Sequence, residues 1–116
     1  MAFTKIRKIK YQEMPRQKLE RVEIKDRGRV VSNCLLFSGD KMSIIYNLFT
    51  NENCRGQGYA TKCVSAAKHR FENSNMAILM AGTVENREEV RKVFNRNDFK
   101  EIICPTGDVI MYYVKG

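Results

Sequence analysis

The chain has 116 residues, 43% hydrophobic and 29% charged, which fits one globular domain with its own core and no need of a disulfide or metal staple. Its apolar runs, such as Ile44-Ile45-Tyr46, are too short to span a bilayer, and Met1-Ala2-Phe3-Thr4-Lys5 lacks a signal-peptide core, so the chain is expected to be cytoplasmic. The net charge of +8 admits an anionic cofactor, an acidic protein or nucleic acid, but the cations are spread along the chain, so nucleic-acid binding is expected to be nonspecific at most.

Taken in chain order, Thr4–Tyr11 alternates cations with Ile6, Ile9 and Tyr11 and reads as a strand. Pro15 breaks the chain. Lys18–Lys25 is a second strand, Asp26-Arg27-Gly28-Arg29 a turn, Val30–Phe37 a third strand, and Ser38-Gly39-Asp40 a turn into a fourth, Lys41–Thr50. Short glycine turns make the last three an antiparallel meander. From Gly56 to Asn73, Ala60, Val64, Ala67 and Phe71 fall on one helical face. Met76–Ala81 is a continuous apolar run, short enough for a buried strand. Asn86, three residues ahead of Glu89, reads as an N-cap opening a helix with Val90, Val93 and Phe94 as its stripe. Lys100–Cys104 and Val109–Val114 close the chain as strands. The result is a mixed α/β (α+β) domain over 1–116, its helices packed on a mostly antiparallel sheet. Cys34, Cys54, Cys63 and Cys104 form no C-x-x-C pair, and the only histidine, His69, has no zinc spacing; reduced thiols and no metal are expected.

The chemistry-bearing segment is Arg55-Gly56-Gln57-Gly58-Tyr59-Ala60, where a hydrophobic strand gives way to a helix. A helix start has free amides and partial positive charge, which together bind phosphate. Gly56 and Gly58 let a phosphate approach the backbone, Ala60 keeps the next turn open, Arg55 adds a full charge and Thr61 a hydroxyl. The segment is neither a dinucleotide fingerprint, lacking the third glycine and the acidic partner, nor a P-loop, lacking Gly-Lys-Ser/Thr.

Arg55, Gly58 and Ala60 fit the Arg/Gln-x-x-Gly-x-Gly/Ala pattern, and here the sequence resembles the GNAT family of acetyl-CoA-dependent N-acetyltransferases. Asn86 to Phe99 resembles the family's second signature, an Asn-led helix ending in an aromatic motif. The resemblance implies acetyl-CoA as cofactor, its pyrophosphate on the amides of Gln57 to Thr61. Its pantetheine arm would lie along Leu48, Phe49 and Thr50, between splayed strands at Lys41–Thr50 and Met76–Ala81, with Asn86 beside it.

Three departures from the family bear on the chemistry. Phe94 stands where a tyrosine often protonates the leaving thiolate; Tyr46, Tyr112 and Tyr113 are the alternatives. No carboxylate occupies Ser43-Ile44-Ile45, where some members carry a general base; Glu52, Glu85 and Asn86 lie in nearby loops. Between Tyr11 and Lys18 there is room only for a turn, not for the two helices that usually wall the acceptor site. The catalytic group is therefore open among Asn86, Glu85 and Tyr112. The implied function is acetyl transfer to an exposed amine of a protein or peptide, with a homodimer as one way to complete the wall. The alternative is a non-catalytic module that holds acetyl-CoA, an acidic partner or nucleic acid. Asp98 replaces the usual glycine before Phe99, altering only that turn.

Overall fold

The computed structural model describes residues 2–9, 17–84 and 88–116, with the backbone alone at 83 and 84. Seven strands form one sheet: β1 (Ala2–Ile9), β2 (Lys18–Asp26), β3 (Arg29–Ser38), β4 (Met42–Thr50), β5 (Ile78–Val84), β6 (Lys100–Ile103) and β7 (Val109–Val114). Helix α1 (Tyr59–Glu72) joins β4 to β5, and α2 (Glu88–Asn95) lies between β5 and β6. The spatial order is β1-β2-β3-β4-β5-β7-β6. The predicted meander is larger than expected, because β1 also pairs antiparallel with β2, from Ala2↔Asp26 to Ile9↔Leu19. The one parallel seam among the described strands is β4 with β5, and α1 is the crossover such a pair requires.

Both helices cover the same face. Val22, Ile24, Cys34, Leu36, Ile45, Leu79, Ala81 and Met111 point from the sheet toward Cys63, Val64, Ala67 and Phe71 of α1, and all are buried. The predicted helical stripe of Val64, Ala67 and Phe71 is thus the packed face; Cys63 joins it and Ala60, at the helix start, is half-buried. Cys63 Sγ lies 3.6 Å from Cys34 Sγ and 3.6 Å from the Val22 carbonyl. All four thiols are free, and the contact with Cys63, together with burial, pushes the Cys34 thiol up. A bidentate pair clamps the far end of α1 to β2, with Arg70 Nη2 2.8 Å and Nε 3.3 Å from the two oxygens of buried Glu20.

Several boundaries differ from the sequence reading for local reasons. Helix α1 starts at Tyr59, not Gly56, because Gly56 and Gly58 both sit at φ 80°, outside the right-handed helix. β5 starts at Ile78, not Met76. The Ser74 hydroxyl donates to the Phe71 carbonyl (2.6 Å) and accepts from the Met76 amide (3.1 Å), holding that stretch in a bend. The cap expected at Asn86 lies outside the described residues. At the other end of α2, Asp98 takes φ 65°. The Phe99 amide then reaches back to the Phe94 carbonyl (3.2 Å) and the Asp98 amide to the Asn95 carbonyl (3.1 Å). These are the bonds of a Schellman cap, completed by contact between the Phe94 and Phe99 rings, 5.1 Å apart. Aspartate tolerates this conformation better than most residues, so the turn keeps the shape a glycine would give.

Phe71 is 1% exposed and meets Tyr113 edge-on. Phe71→Ala should lower the unfolding free energy by roughly 3–5 kcal/mol, the usual cost of emptying an aromatic core site. Urea denaturation checks it; a loss below about 1 kcal/mol would place the core elsewhere.

Candidate functional site

The β4–β5 ladder runs only from Met42↔Ile78 to Ile45↔Ala81. Beyond it β4 continues to Thr50 against β3, while β5 continues against β7. Two strands that begin paired therefore part at Tyr46 and Gly82. Close packing fixes the parting point, since a Cβ on Gly82 would fall 3.1 Å from Ile44 Cγ2 and 3.2 Å from Tyr46 Cβ.

Just past that point β4 carries a bulge. Asn33 pairs with Phe49 but Leu35 with Tyr46, so β4 has one residue more than β3 across this interval. Asn47 absorbs it at φ 54°, a left-handed conformation that asparagine tolerates. The sequence reading missed this residue, although an asparagine inside an otherwise apolar strand is a usable signal for a bulge. After the bulge, Leu48 is half-buried against the core and Phe49 is 53% exposed. Ser32 anchors the strand end, its Oγ 3.0 Å from the Phe49 carbonyl oxygen and 3.0 Å from Thr50 Oγ1.

The chain then crosses to the helix face. Asn51 ties the connection to β3, its amide donating to the Val31 carbonyl (2.9 Å) and its Nδ2 to that of Val30 (3.2 Å). A 3-10 turn over Glu52–Cys54 leads to Arg55, which is exposed, its Nε a long 3.5 Å from the Thr50 carbonyl. Gly56, Gln57 and Gly58 are exposed, and nothing lies within 4 Å of a Cβ built on either glycine. Backbone conformation, not crowding, is what those positions demand. Gly58 is the N-cap of α1 and supplies no side-chain cap. The first intrahelical bond runs from the Lys62 amide to the Gly58 carbonyl (3.0 Å), so the amides of Tyr59, Ala60 and Thr61 have no acceptor within the helix. Such a terminus, with clear space above two glycines, suits a phosphate.

Side chains outside the loop hold this terminus in place. The Tyr59 hydroxyl donates to Asp26 Oδ2 (2.9 Å), joining the helix start to the β2–β3 turn. That bond is the main reason the Asp26 carboxyl is held below its ordinary range and the Tyr59 phenol is raised above its own. Buried Asn97, after α2, donates through Nδ2 to the Thr61 carbonyl (3.2 Å) and the Val93 carbonyl (3.1 Å). Lys68 reaches the Asn97 carbonyl (2.9 Å) and lies 4.1 Å from the Tyr113 ring centre.

The four aromatic positions separate clearly. Phe94 is core, 3% exposed. Tyr113 faces the helices, stacked among Phe71, Phe99 and Lys68, its hydroxyl 3.2 Å from Glu72 Oε2. Tyr112 points the other way, in the row of Ile44 and Met80 on the sheet face opposite the helices, and Tyr46 shares that face beside Gly82. Glu52 is exposed in its turn, while Glu85 and Asn86 lie outside the described residues. Among the described residues no cluster could hold a metal, and no helix is long and apolar enough to cross a membrane.

Residues 6–99 match the family model described as the acetyltransferase (GNAT) family. Solved structures share the fold at low identity. The PaiA N-acetyltransferase of Thermoplasma acidophilum, in complex with coenzyme A, aligns with a TM-score of 0.69 and 11% identity, over 84% of this chain and 61% of that one. The ribosomal-protein-S18-alanine N-acetyltransferase of Escherichia coli aligns at 0.69 and 12%, over 81% and 67%. A GNAT-family acetyltransferase of Staphylococcus aureus aligns at 0.65 and 16%, over 84% and 67%. No curated protein matches the sequence.

Two expectations follow from the loop. Gly58→Ala should cost about 1–2 kcal/mol, because an L side chain would be held in the left-handed region; a urea titration within error of the parent would refute it. The Tyr59–Asp26 bond also sets a pH dependence. Asp26, depressed in the fold, adds stability that is lost as pH falls through and below the ordinary carboxylate range. Tyr59, raised in the fold, adds stability that is lost as pH rises past the ordinary phenol range. Tyr59→Phe should remove the alkaline dependence and the largest part of the acid one, leaving melting curves that differ least from the parent at the two extremes of pH and most at neutrality.

Proposed function

The chain belongs to the acetyltransferase (GNAT) family, and we propose that it binds acetyl-CoA and transfers the acetyl group to an amine by direct attack. The observation that carries this reading is the parting of β4 from β5 immediately before an uncapped helix start with two left-handed glycines. The amides of Gln57 to Thr61 receive the pyrophosphate, with Arg55 beside them. The arm lies in the slot between the strands, along Leu48, Phe49 and Thr50. A protein of the same fold is solved in complex with coenzyme A, which is consistent with this use of the fold.

Acetyl-CoA supplies an activated thioester; the chain supplies position and charge. The bulge at Asn47 interrupts the ladder with β3, and in this reading backbone amides beside it face the slot. Amides held there stabilise negative charge developing on the acetyl oxygen as the amine attacks. Orientation of the two reactants provides much of the acceleration. Tyr112 stands on the acceptor side of the sheet; it and Glu85 and Asn86, which follow β5 in sequence, are the candidates for moving a proton. A proton-transfer group of this kind is worth ~10²–10⁴-fold in rate, so the reaction proceeds more slowly without one.

Ligand titration tests the reading in two steps. Acetyl-CoA at millimolar concentration should raise the melting temperature, since binding to the folded state alone must stabilise it. Release of coenzyme A thiol with a mixture of peptide amines should follow. No thermal shift sinks the proposal outright, whereas a shift without turnover across broad acceptors leaves a binding module.

A further inference from the structure

The sheet face opposite the helices is zoned by charge. Strand registers fix its rows: Arg7–Arg21–Leu35–Tyr46, then Lys5–Glu23–Asn33–Phe49, with Phe3–Lys25 beyond. β1 and β2 carry Lys5, Arg7, Arg21 and Lys25, β3 and β4 carry Leu35, Tyr46 and Phe49 with Asn33 among them, and Lys100 stands apart on β6 at the far edge. Among the described strand residues Glu23 is the one carboxylate on this face, and it is buried, at 5% exposed, with Arg7 Nη2 3.2 Å from its Oε2 and Arg7 Nε 3.2 Å from its Oε1. Lys5, Arg21 and Lys25 make no ion pair among the described residues. Both α-helices cover the other side, and no described helix lies over this one.

The proposed acetyl-CoA site enters the β4–β5 slot from the helix side, so the amine must approach from this face. We propose that the face is the acceptor's docking surface and that the acceptor is a polypeptide amine with carboxylates nearby in sequence. The inference rests on the transferase reading for its orientation, and on the charge zoning for its chemistry. β2 lies two strands from β4, ~10 Å at the usual strand spacing, and the slot adds about half as much again. At about 3.3 Å per extended residue, the carboxylates belong roughly three to five residues from the amine. The intervening chain would cross Leu35, Tyr46 and exposed Phe49. A nucleic acid fits less well. Its phosphates need a cationic track along their length, whereas this track stops at β2, and Leu35, Asn33, Tyr46 and Phe49 follow without a cation.

The test uses the full chain with acetyl-CoA and paired peptides. They differ only in Glu or Gln at positions about three to five from one free amine. Two readouts are taken, kcat/KM from thiol release and direct binding of the labelled peptides by fluorescence anisotropy. The Glu peptide should exceed the Gln peptide by roughly tenfold at low salt, and the advantage should shrink at about 0.5 M salt. Arg21→Glu should abolish or invert it. Lys5→Glu, at an exposed position, gives the same direction should Arg21→Glu fail to fold. Equal kcat/KM and equal binding for the two peptides overturn the proposal. So does tighter binding of a single-stranded oligonucleotide of matched charge at the same salt. If acetyl-CoA neither binds nor turns over, yet the Glu peptide still binds preferentially and loses that preference with Arg21→Glu, the transferase reading fails and the acidic-peptide surface stands.

Discussion

Everything in this molecule hangs on a short parallel seam. From Met42↔Ile78 to Ile45↔Ala81, β4 and β5 hold together two antiparallel sheets, β1 to β4 on one side and β5, β7 and β6 on the other. Parallel pairing requires a long crossover, and α1 is that crossover. Its apolar face therefore lies over the seam it creates, against Ile45 and Leu79. The same brevity lets the strands separate beyond Gly82, where a side chain would press on Ile44 and Tyr46. Cohesion and opening thus come from one element, and the start of α1 is delivered to the opening because the crossover must begin where β4 ends.

The fold was largely readable because its signals are local. Alternation, glycine turns and a helical stripe of Val64, Ala67 and Phe71 identify elements without knowledge of their neighbours. The limits of elements were less readable. Gly56 and Gly58 are compatible with a helix as letters; only their positive φ places the start at Tyr59. The outer position of β1 beside β2 depends on pairing across a connection, which no local pattern encodes. At the site, the loop was legible because glycine at a strand-to-helix junction restricts the chemistry. The bulge at Asn47 was hidden, since one surplus residue shows only when two strands are laid side by side. Tyr59 and Asn97 were likewise invisible as supports, because their partners Asp26 and Thr61 are far away in sequence.

The two sides of the sheet follow different rules. On the helix side nearly every polar group near α1 is committed, with Glu20 to Arg70, Asn97 to Thr61 and Lys68 to the end of α2. That produces a rigid frame around a loop whose own amides are left over. On the other side Lys5, Arg21 and Lys25 surround a single neutralised carboxylate, and rows holding Leu35, Tyr46 and Phe49 run from there toward the slot. Rigidity where one ligand is held in a fixed pose, and breadth where a polymer would approach, is a sensible division for a protein that must bring the two together.

The pair of core sulfurs gives this design a built-in clock. Cys34 and Cys63 are wholly shielded, one on the sheet and one on the crossover helix, and the Cys34 proton is held more tightly than in a free thiol. A water-soluble alkylating reagent meets them only when helix and sheet come apart. Cys54, at the rim of the core, and Cys104 are half-buried, so such a reagent would reach them without that opening. Slow labelling of this pair would count separations from β3 of α1, the helix whose start carries the loop at Arg55–Ala60. The lifetime of the proposed phosphate cradle is thereby written into the reactivity of two residues that never touch it.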